Sequence, residues 1–409
     1  MSKLKRVAAV DIGSTKICCM IAEVDQVGKI EIKGFGTAPP DGFRLGVVIS
    51  LDKAIDAVAR AMEDAEKMAQ CRFRNCQVFT SITGDHIKYL SGLGAVPVSR
   101  PTKGIQPRDV EDVIRQAQTI RLPNDEQILH VIPTQFIVDG QKGVRNPLGL
   151  FGVRLEVEAL LVIGAVTAIE NLYRVLERLE VRSRVLVLQS LATSFAVCDE
   201  QDKELGIVVV DIGGVMDISI YREGEIRFTK LLPVGAANIT KDVAIGLRTS
   251  YQEAERVKRE KGVAMAGMVE RDEALTIEDA SGRGPKEVSR RLLASIIEPR
   301  VEELLNLADS EVRKSGLGDG LSAGMILTGG GALLPGIDIL AEQICGMPVK
   351  IGRPDRVNGP REITQNPAFS TAVGLIKCAV EAKGRQFHQL PPPSLGQRLW
   401  DDIIKGWFS

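Results

Sequence analysis

Two short segments of the sequence could bind a phosphorylated ligand, because each is an apolar run that ends in aspartate and glycine. The first reads Asp11-Ile-Gly-Ser-Thr and the second Asp211-Ile-Gly-Gly. Glycine turns expose backbone N–H groups to phosphate oxygens, and an aspartate at a strand end can hold a hydrated magnesium ion. A single Asp-x-Gly tripeptide is more often an ordinary strand end. Two of them in matching surroundings favour a shared nucleotide site.

These surroundings form a repeat. Each copy consists of a strand, the glycine turn, a second strand, another turn at Gly28 or Gly224, and a third strand. Segments with apolar residues at helical spacing come next, at 53–69 and 240–261. Both glycine turns join two strands, whereas Rossmann and Walker motifs place their glycines between a strand and a helix. We therefore predict two similar half-domains facing each other across one nucleotide.

A third glycine cluster, Gly329 to Gly331, lies between an apolar strand and a helix-like segment at 333–344. It is a plausible floor for an adenosine, because glycines let a flat ring approach the backbone; the alternative is a flexible loop. Glu255 and Lys258 lie at i and i+3 of a predicted helix, where they share one face. Alone, that pair would be a solvated ion pair.

Composition excludes several classes of protein. The 409 residues suffice for two or three domains, and 52 basic against 53 acidic residues argue against nucleic-acid binding through bulk charge. No run of eighteen apolar residues and no signal peptide is present, so we expect a cytosolic chain. The seven cysteines contain no C-x-x-C pair and are expected to be reduced core thiols. Three scattered histidines give little basis for a zinc site or a Ser/His/Asp triad.

Taken together, four motifs resemble the actin, chaperone and sugar-kinase ATPase superfamily: DIGSTK at 11–16, DIGG at 211–214, AERVKR at 254–259 and LTGGGA at 327–332. Within it the chain resembles the FtsA family of bacterial cell-division actin homologues, from residue 5 to the last residue. The implied fold is α/β: an actin-like ATPase with two duplicated half-domains around a nucleotide cleft, an inserted small α+β subdomain and a C-terminal amphipathic helix.

The resemblance also implies a site for ATP and Mg²⁺. Asp11 and Asp211 would act in catalysis and hold the metal ion, and Gln189 could at most orient a water, although a plain helix-start role is the favoured alternative. The other nucleotide-binding residues implied by the resemblance are Gly13, Ser14, Thr15, Lys16, Gly213, Gly214, Gly235, Glu255, Lys258, Arg259, Gly329, Gly330 and Gly331.

One feature departs from the family pattern. The second phosphate loop usually has a third glycine and a polar residue, whereas here Gly214 is followed at once by Val215, Met216 and Asp217. Losing a hydroxyl and a backbone N–H beside the terminal phosphates weakens stabilisation of developing charge more than it weakens binding. We expect a nucleotide switch that is at most a slow ATPase.

An inserted segment at 84–163 has its own strand, helix, strand, strand pattern. It is the feature that most favours FtsA over rod-shape actins and chaperones, and by resemblance it would serve self-assembly and contacts with later division proteins. The alternative is a lid or a decorative insertion. The predicted domain boundaries are 1–83 and 164–195 for the first half, 84–163 for the insert, 196–380 for the second half, 381–394 for a linker and 395–409 for a tail helix.

The tail combines a stiff Pro391-Pro-Pro linker with an amphipathic helix. Fifteen helical residues reach about 22 Å, short of a hydrocarbon core of about 30 Å, so the helix should lie in the membrane surface. Docking on the protein itself or on a partner is the alternative. The apolar face consists of Leu395, Leu399, Trp400, Ile403, Ile404, Trp407 and Phe408.

The resemblance implies an ATP-binding, self-assembling adapter that anchors the FtsZ ring to the cytoplasmic face of the inner membrane at the division site, as a peripheral protein. The acidic FtsZ C-terminal peptide would dock on a basic helix of the second half, although a mixed-charge helix can simply be a solvated face. A sugar-type kinase on the same fold is the alternative function. The expected FtsZ-binding residues are Arg283, Lys286, Arg290, Arg291 and Arg300.

Overall fold

A computed structural model describes residues 4–181, 184–280 and 284–381. The first half and the insert alternate between strands and helices. Their elements are β1 Lys5–Ile12, β2 Ile17–Val24, β3 Ile30–Ala38, β4 Phe43–Arg44, β5 Val47–Val48, α1 Leu51–Ala69, β6 Gln77–Ile82, β7 Lys88–Pro97, α2 Pro107–Ala117, β8 Glu126–Val138, β9 Gln141–Val144, β10 Arg154–Ala165, α3 Val166–Arg178, β11 Arg184–Leu188 and α4 Gln189–Val197.

The rest of the described chain repeats this alternation. Its elements are α5 Glu200–Leu205, β12 Ile207–Ile212, β13 Met216–Arg222, β14 Glu225–Leu232, α6 Ala236–Gly246, α7 Tyr251–Lys261, β15 Ala274–Glu278, β16 Pro285–Ser289, α8 Arg290–Lys314, β17 Gly324–Thr328, α9 Ile337–Cys345, β18 Val349–Ile351, β19 Val357–Asn358, α10 Arg361–Thr364 and α11 Ser370–Glu381.

The two main sheets share a five-stranded topology, to which the first sheet adds β19 at one edge. The first has the order β11-β6-β1-β2-β3-β19, and the second, read from its other edge, has the order β18-β17-β12-β13-β14. In both, the strand before the glycine turn pairs antiparallel with the strand after it and parallel with the next sheet neighbour. The duplicated half-domains predicted from the sequence are therefore confirmed.

The buried parts of the central strands β1 and β12 are apolar except for Asp11 and Asp211, because helices cover both faces of each sheet. The residues of β1 from Val7 to Ile12 are buried, and so is all of β12. Glycines let α1 approach β3 closely: a Cβ atom at Gly36 would lie 2.2 Å from the carbonyl oxygen of Ala61. Two large cores result: one lies within the second half, and the other joins the first half to residues of β12, β13, β14 and β17.

Helices α4 and α11 lie between the two sheets. The two helices pack closely at Gly374, where an added Cβ atom would lie 1.7 Å from the carbonyl oxygen of Ala192. Buried residues of α11, including Val373 and Ile376, join the core of the first half, and β19 pairs with β3. The segment after residue 352 thus returns to the first half, which the single range 196–380 for the second half did not anticipate.

The insert folds around a separate core. Its four-stranded sheet has the order β7-β10-β8-β9, and α2 packs on β7 through Gly92 and Gly94. The predicted strand, helix, strand, strand pattern is present, with β9 as an additional short strand.

Two predicted helices differ in detail. The helical pattern at 240–261 forms two helices, α6 and α7, because the chain breaks at 247–250, where Arg248 has a positive φ of 48° and Ser250 caps α7. The segment predicted to be helical from 333 begins as helix α9 only at Ile337, since Pro335 and Gly336, with φ 82°, interrupt it.

Candidate nucleotide site

The two glycine turns face each other across the cleft between the halves. Cross-strand pairing of Ile12 with Ile17 leaves a turn at 13–16, and pairing of Ile212 with Met216 leaves a turn at 213–215. A Cβ atom at Gly214 would lie 2.4 Å from Ser14 Oγ. The second turn is thus one residue shorter than the first and almost touches it.

Asp11 lies at the base of the first turn and is 5% exposed. Its Oδ1 accepts a hydrogen bond from Ser81 Oγ at 2.9 Å, and Ser81 Oγ in turn accepts from the Ile12 N–H at 2.8 Å. Burial raises the pKa of Asp11 to about 6, with the negative charge of Asp211 adding to the rise and Ser81 and Lys16 opposing it. A cation bound here would stabilise the ionised carboxylate.

Asp211 occupies the equivalent position in the second half with more donors around it. Its Oδ2 accepts hydrogen bonds from Thr193 Oγ1 at 2.9 Å and Thr371 Oγ1 at 3.3 Å, and the nearby Gln189 side chain helps to lower its pKa. Burial still raises its pKa. Gln189 is the first residue of α4, as the helix-start alternative predicted, and its contact is with Asp211.

The residues across the strand from the two aspartates differ. Asp11 pairs with Cys18, whereas Asp211 pairs with Asp217. Asp217 is 3% exposed, and burial raises the pKa of its carboxyl well above the ordinary value, with the charge of Asp211 adding to the rise. Two carboxyl groups on one buried face favour a neutral Asp217 beside an ionised Asp211.

Lys16 extends from the first turn to residues that precede α11. Its Nζ lies 3.5 Å from the centroid of the Phe369 ring, a cation–π contact. Burial is the largest cause of a lowered pKa at Lys16, and the positive charge of Arg259 on α7 lowers it further. Two cations from opposite halves therefore lie near the turns, where an anionic ligand would be stabilised.

The N-terminus of α6 packs on the second turn. Gly235 is its N-cap, and a Cβ atom there would lie 2.6 Å from the carbonyl oxygen of Gly213. The Ala236 N–H donates to that same carbonyl at 2.8 Å. Gly235 therefore allows helix and turn to approach this closely.

Glu255 and Lys258 form a partly buried ion pair, with 2.6 Å between Lys258 Nζ and Glu255 Oε2. Thr240 Oγ1 lies between α6 and α7; it donates to Glu255 Oε2 at 2.5 Å and accepts from Lys258 at 2.7 Å. The pair is thus anchored by a third residue and differs from the freely solvated pair that its spacing alone would allow.

The triple glycine packs against the second turn. A Cβ atom at Gly329, whose φ is 81°, would lie 2.2 Å from Asp211 Oδ1, and one at Gly331 would lie 2.5 Å from Ile212 Cγ2. At Gly330 the nearest contact would be Ala368 Cβ at 3.9 Å. Gly329 and Gly331 are therefore required by packing, and Gly330 leaves space for a ligand.

The cations predicted to bind the FtsZ peptide do not form one basic helix. Lys286 lies on strand β16 and pairs with Asp279 at 2.6 Å, while Arg283 lies outside the described residues. Arg290, the first residue of α8, pairs with Glu273, and Arg300 pairs with Asp242. The helix prediction failed at Lys286 because the hairpin β15–β16 precedes α8.

Arg291 differs from the other described cations of this set. Its guanidinium donates to the carbonyl oxygen of Val269 at 3.0 Å, and its backbone N–H donates to Asp272. This contact leaves most of the guanidinium donors of Arg291 for an external carboxylate.

Sequence reasoning missed a buried polar layer on α4. Ser190 and Ser194 hydrogen-bond to Thr229 and Ser219 of the second half, at 2.9 and 3.1 Å. His130 of the insert accepts the backbone N–H of Leu188 at 3.0 Å through Nε2, immediately before α4 begins. The signal was available in QSLATSFAV at 189–197, where three hydroxyl residues interrupt an otherwise apolar, fully buried helix.

Several predicted features lie outside the described residues: most of the linker, the tail helix and all seven residues of its apolar face. Within the described ranges, no helix has the length and apolar character needed to span a bilayer.

Comparison with known proteins gives consistent matches over most of the chain. The family described as "Cell division protein FtsA" matches residues 208–374, and "SHS2 domain inserted in FTSA" matches residues 84–163. The cell division protein FtsA of Pseudomonas aeruginosa is 38% identical over 373 residues, covering 91% of this chain and 88% of that protein. That of Escherichia coli K12 is 35% identical over 386 residues, covering 92% and 91%.

Solved structures show the same fold at low sequence identity. The PilM-PilN type IV pilus biogenesis complex contains a chain with a TM-score of 0.65 and 16% identity, covering 92% of this chain and 98% of that one. MreB5 of Spiroplasma citri bound to ADP gives a TM-score of 0.56 at 13% identity, with coverage of 92% and 98%. The fold is the actin-like ATPase fold with an inserted SHS2 domain, and the chain belongs to the FtsA family of cell division proteins.

Proposed function

We propose that this protein is an ATP-binding, self-assembling adapter that anchors FtsZ to the inner face of the cytoplasmic membrane during cell division. The observation that carries the nucleotide part is the contact between the two turns, where a Cβ atom at Gly214 would meet Ser14 and Thr15. A ligand between turns this close contacts both halves at once, so its binding can be coupled to their relative position.

The residues at the turns fit a magnesium nucleotide. Magnesium is commonly held by one or two carboxylates together with phosphate oxygens and waters, and Asp11 and Asp211 are two buried carboxylates beside glycine backbones. Burial raises the pKa of both aspartates, so a bound cation would stabilise their ionised forms. When bound, the metal ion would neutralise phosphate charge; Lys16 and Arg259 would add to that neutralisation, and Ser14 and Thr15 would donate hydroxyl hydrogen bonds. MreB5 of Spiroplasma citri, a fold neighbour, was solved with ADP and with AMPPNP.

Hydrolysis is proposed to be slow. The second turn has three residues, 213–215, and its third residue is an apolar valine, so it offers backbone N–H groups and no hydroxyl. ATP would then act as a switch for assembly.

Self-assembly and contacts with later division proteins are assigned to the insert at 84–163. It has its own core, so it can present a rigid surface away from the nucleotide cleft. Leu93 and Phe151, each 73% exposed, lie on β7 and on the loop before β10. These two residues are the candidate contact residues of the insert.

The FtsZ peptide is proposed to bind near the start of α8, and Arg291 is the best candidate for an acidic contact. The substitution Arg291→Ala should weaken binding of an FtsZ C-terminal peptide about tenfold. Arg313→Ala, at the other end of α8, is the matched control and should leave affinity unchanged. Equal affinities for all three proteins, measured by fluorescence anisotropy, would exclude this position.

Membrane attachment is proposed to use the tail at 395–409, on the sequence argument alone. Two tryptophans on one apolar face favour insertion at the membrane–water interface. Each tail would bind the membrane weakly, and an assembly that carries many tails would bind it tightly.

The test is co-sedimentation with liposomes of the full chain and of a Trp400→Glu, Trp407→Glu double variant, with and without ATP and FtsZ peptide. The adapter proposal requires the full chain to pellet with the peptide and the variant to remain in solution. If both proteins stay in the supernatant while binding ATP, the tail is not an anchor. Membership of the FtsA family does not favour the kinase alternative.

A further inference from the structure

Cys71 and Cys76 form a close pair of thiols at the C-terminal end of α1. Their Sγ atoms are 3.8 Å apart, and both lie near the carbonyl oxygen of Arg72, at 3.7 and 3.6 Å. A disulfide requires about 2.05 Å between the sulfur atoms, so the pair must close by about 1.8 Å to form one. Rotation of the two side chains is a small change compared with a rearrangement of the fold.

The backbone around the pair is held by α1. Gln70 ends the helix in a left-handed conformation, and the Cys71 N–H donates to the Glu66 carbonyl at 3.3 Å. The Glu66 carboxylate accepts the Phe73 N–H at 2.8 Å and pairs with Arg72 at 2.7 Å. The side chain of Phe73 is buried in the core of the first half. The loop therefore holds both thiols near each other before any reaction.

The two thiols differ in access. Cys71 is half-buried and lines an open cleft of about 590 Å³, whereas Cys76 is 6% exposed. Burial raises the pKa of Cys76 to about 12, although the nearby charge of Arg6 acts in the opposite direction. The geometry suits Cys71 as the attacking thiol and Cys76 as the resolving thiol. The expectation of core thiols is thus incorrect for Cys71, and it holds for the other six, which are buried.

Side chains of both charges line the cleft. Arg6, Lys67 and Arg72 line it together with two carboxylates, Glu63 and Glu66. Each cation has an acidic partner: Arg72 pairs with Glu66, Lys67 with Glu63, and Arg6 with Glu23 outside the lining. The cleft therefore offers partners to both the carboxylates and the ammonium groups of a zwitterionic ligand, and glutathione carries both.

We propose that Cys71 and Cys76 are a thiol–disulfide exchange site for small zwitterionic disulfides of the glutathione class. The Cys71 thiolate attacks one sulfur of the small disulfide, forming a mixed disulfide and releasing the first thiolate. The Cys76 thiolate then attacks the Cys71 sulfur and releases the second. The protein loses two protons and two electrons, and the small disulfide is reduced to two thiols.

This site is separate from the nucleotide turns. Arg6 and Asp11 lie five residues apart on β1, which corresponds to about 16 Å. ATP binding thus provides an independent measure that each variant is folded.

The test is to incubate the reduced full chain with oxidised glutathione, block free thiols, digest with trypsin without reduction and analyse the peptides by mass spectrometry. Trypsin cleaves after Arg72 and Arg74, so a Cys71–Cys76 disulfide joins the separate peptides 68–72 and 75–88. We expect this linked pair in the wild type, Cys76→Ser to accumulate one glutathione on Cys71, and Cys71→Ser to react at neither position.

A second measurement needs no variant. Phenylarsine oxide joins two neighbouring thiols with release of water, and it should add once to the wild type and protect both cysteines from alkylation. The proposal is overturned if the wild type forms only a stable mixed disulfide, if the linked peptides contain other cysteines, or if Cys71 reacts no faster than the five remaining buried thiols.

Discussion

The two halves of the molecule share one topology and differ at the turn that each contributes to the cleft. The first turn, 13–16, has four residues and supplies two hydroxyls and a lysine. The second, 213–215, has three and supplies only backbone. Asp11 has one hydroxyl donor, Ser81, whereas Asp211 has two, Thr193 and Thr371. The first half therefore supplies polar side chains to the surface of the cleft. The second half instead holds its aspartate through hydrogen bonds from the buried helices α4 and α11.

The largest effect is expected at the triple glycine, which packs on the second turn alone. Gly329→Ala places a Cβ atom 2.2 Å from Asp211 Oδ1 at a residue with φ 81°. It should lower the free energy of unfolding by about 3 kcal/mol and abolish ATP binding. In the matched control Gly330→Ala, the added Cβ atom lies 3.9 Å from its nearest neighbour, Ala368 Cβ. Its free energy of unfolding should be within about 0.5 kcal/mol of the wild-type value. Urea denaturation followed by circular dichroism measures both, and equal losses would contradict the packing role of Gly329.

The next effect separates the two aspartates. With a pKa of about 6, folded Asp11 binds its proton more tightly than an unfolded carboxyl with a pKa of 3.8. The free energy of unfolding should therefore fall as pH rises from about 4 to about 6 and stay reduced above. Asp11→Asn should remove this penalty and stabilise the nucleotide-free protein at pH 7 by at most about 3 kcal/mol, while weakening magnesium-dependent ATP binding.

Asp211→Asn should stabilise the protein less than Asp11→Asn does. The amide of Asn cannot accept the hydrogen bonds of both threonines as well as the carboxylate does. Thermal unfolding at several pH values measures both variants. If Asp11→Asn is less stable than the wild type at pH 7, burial of the ionised Asp11 carboxylate does not destabilise the folded protein.

A smaller effect concerns turn length. Inserting Thr between Gly214 and Val215 gives the second turn four residues and a hydroxyl, which should raise the single-turnover rate of ATP hydrolysis about tenfold. Inserting Ala at the same place adds a backbone N–H without the hydroxyl and separates the two contributions. Unchanged rates in both variants would show that the turn does not limit hydrolysis.

The smallest effect is expected at Asp217, which takes the place of Cys18 across the strand. Because burial raises the pKa of Asp217 well above its ordinary value, burial favours the neutral form of the side chain, for which Asn is a close substitute. Asp217→Asn should change the free energy of unfolding by less than about 1 kcal/mol. A loss of several kcal/mol in urea denaturation would mean that the carboxylate is charged and held by a partner.

The sequence predicted the strands and turns of both halves because those features depend on neighbouring residues. Apolar runs ended by Asp11 and Asp211 become central strands, and their glycines become the turns. It did not predict Ser81 beside Asp11 or Thr371 beside Asp211, since these contacts join residues 70 and 160 positions apart.

The packing of α11 on the first half was not predicted for the same reason. Packing of α11 on α4 is set by tertiary contacts, whereas its apolar pattern fits either half. Lys286 was placed on a helix because charge and spacing cannot tell the edge of a hairpin from a first helical turn.

The central claim is that one nucleotide contacts both turns at once, and isothermal titration with magnesium ATP tests it most directly. Gly214→Val puts bulk against Ser14 Oγ and Thr15 Cγ2, which are side-chain atoms of the opposite half, so each half can still fold. The control Gly318→Val adds its Cβ where no atom lies within 4 Å. We predict one ATP site in wild type and control, and at least about a hundredfold weaker binding in Gly214→Val. Equal affinity in all three proteins would contradict a shared site.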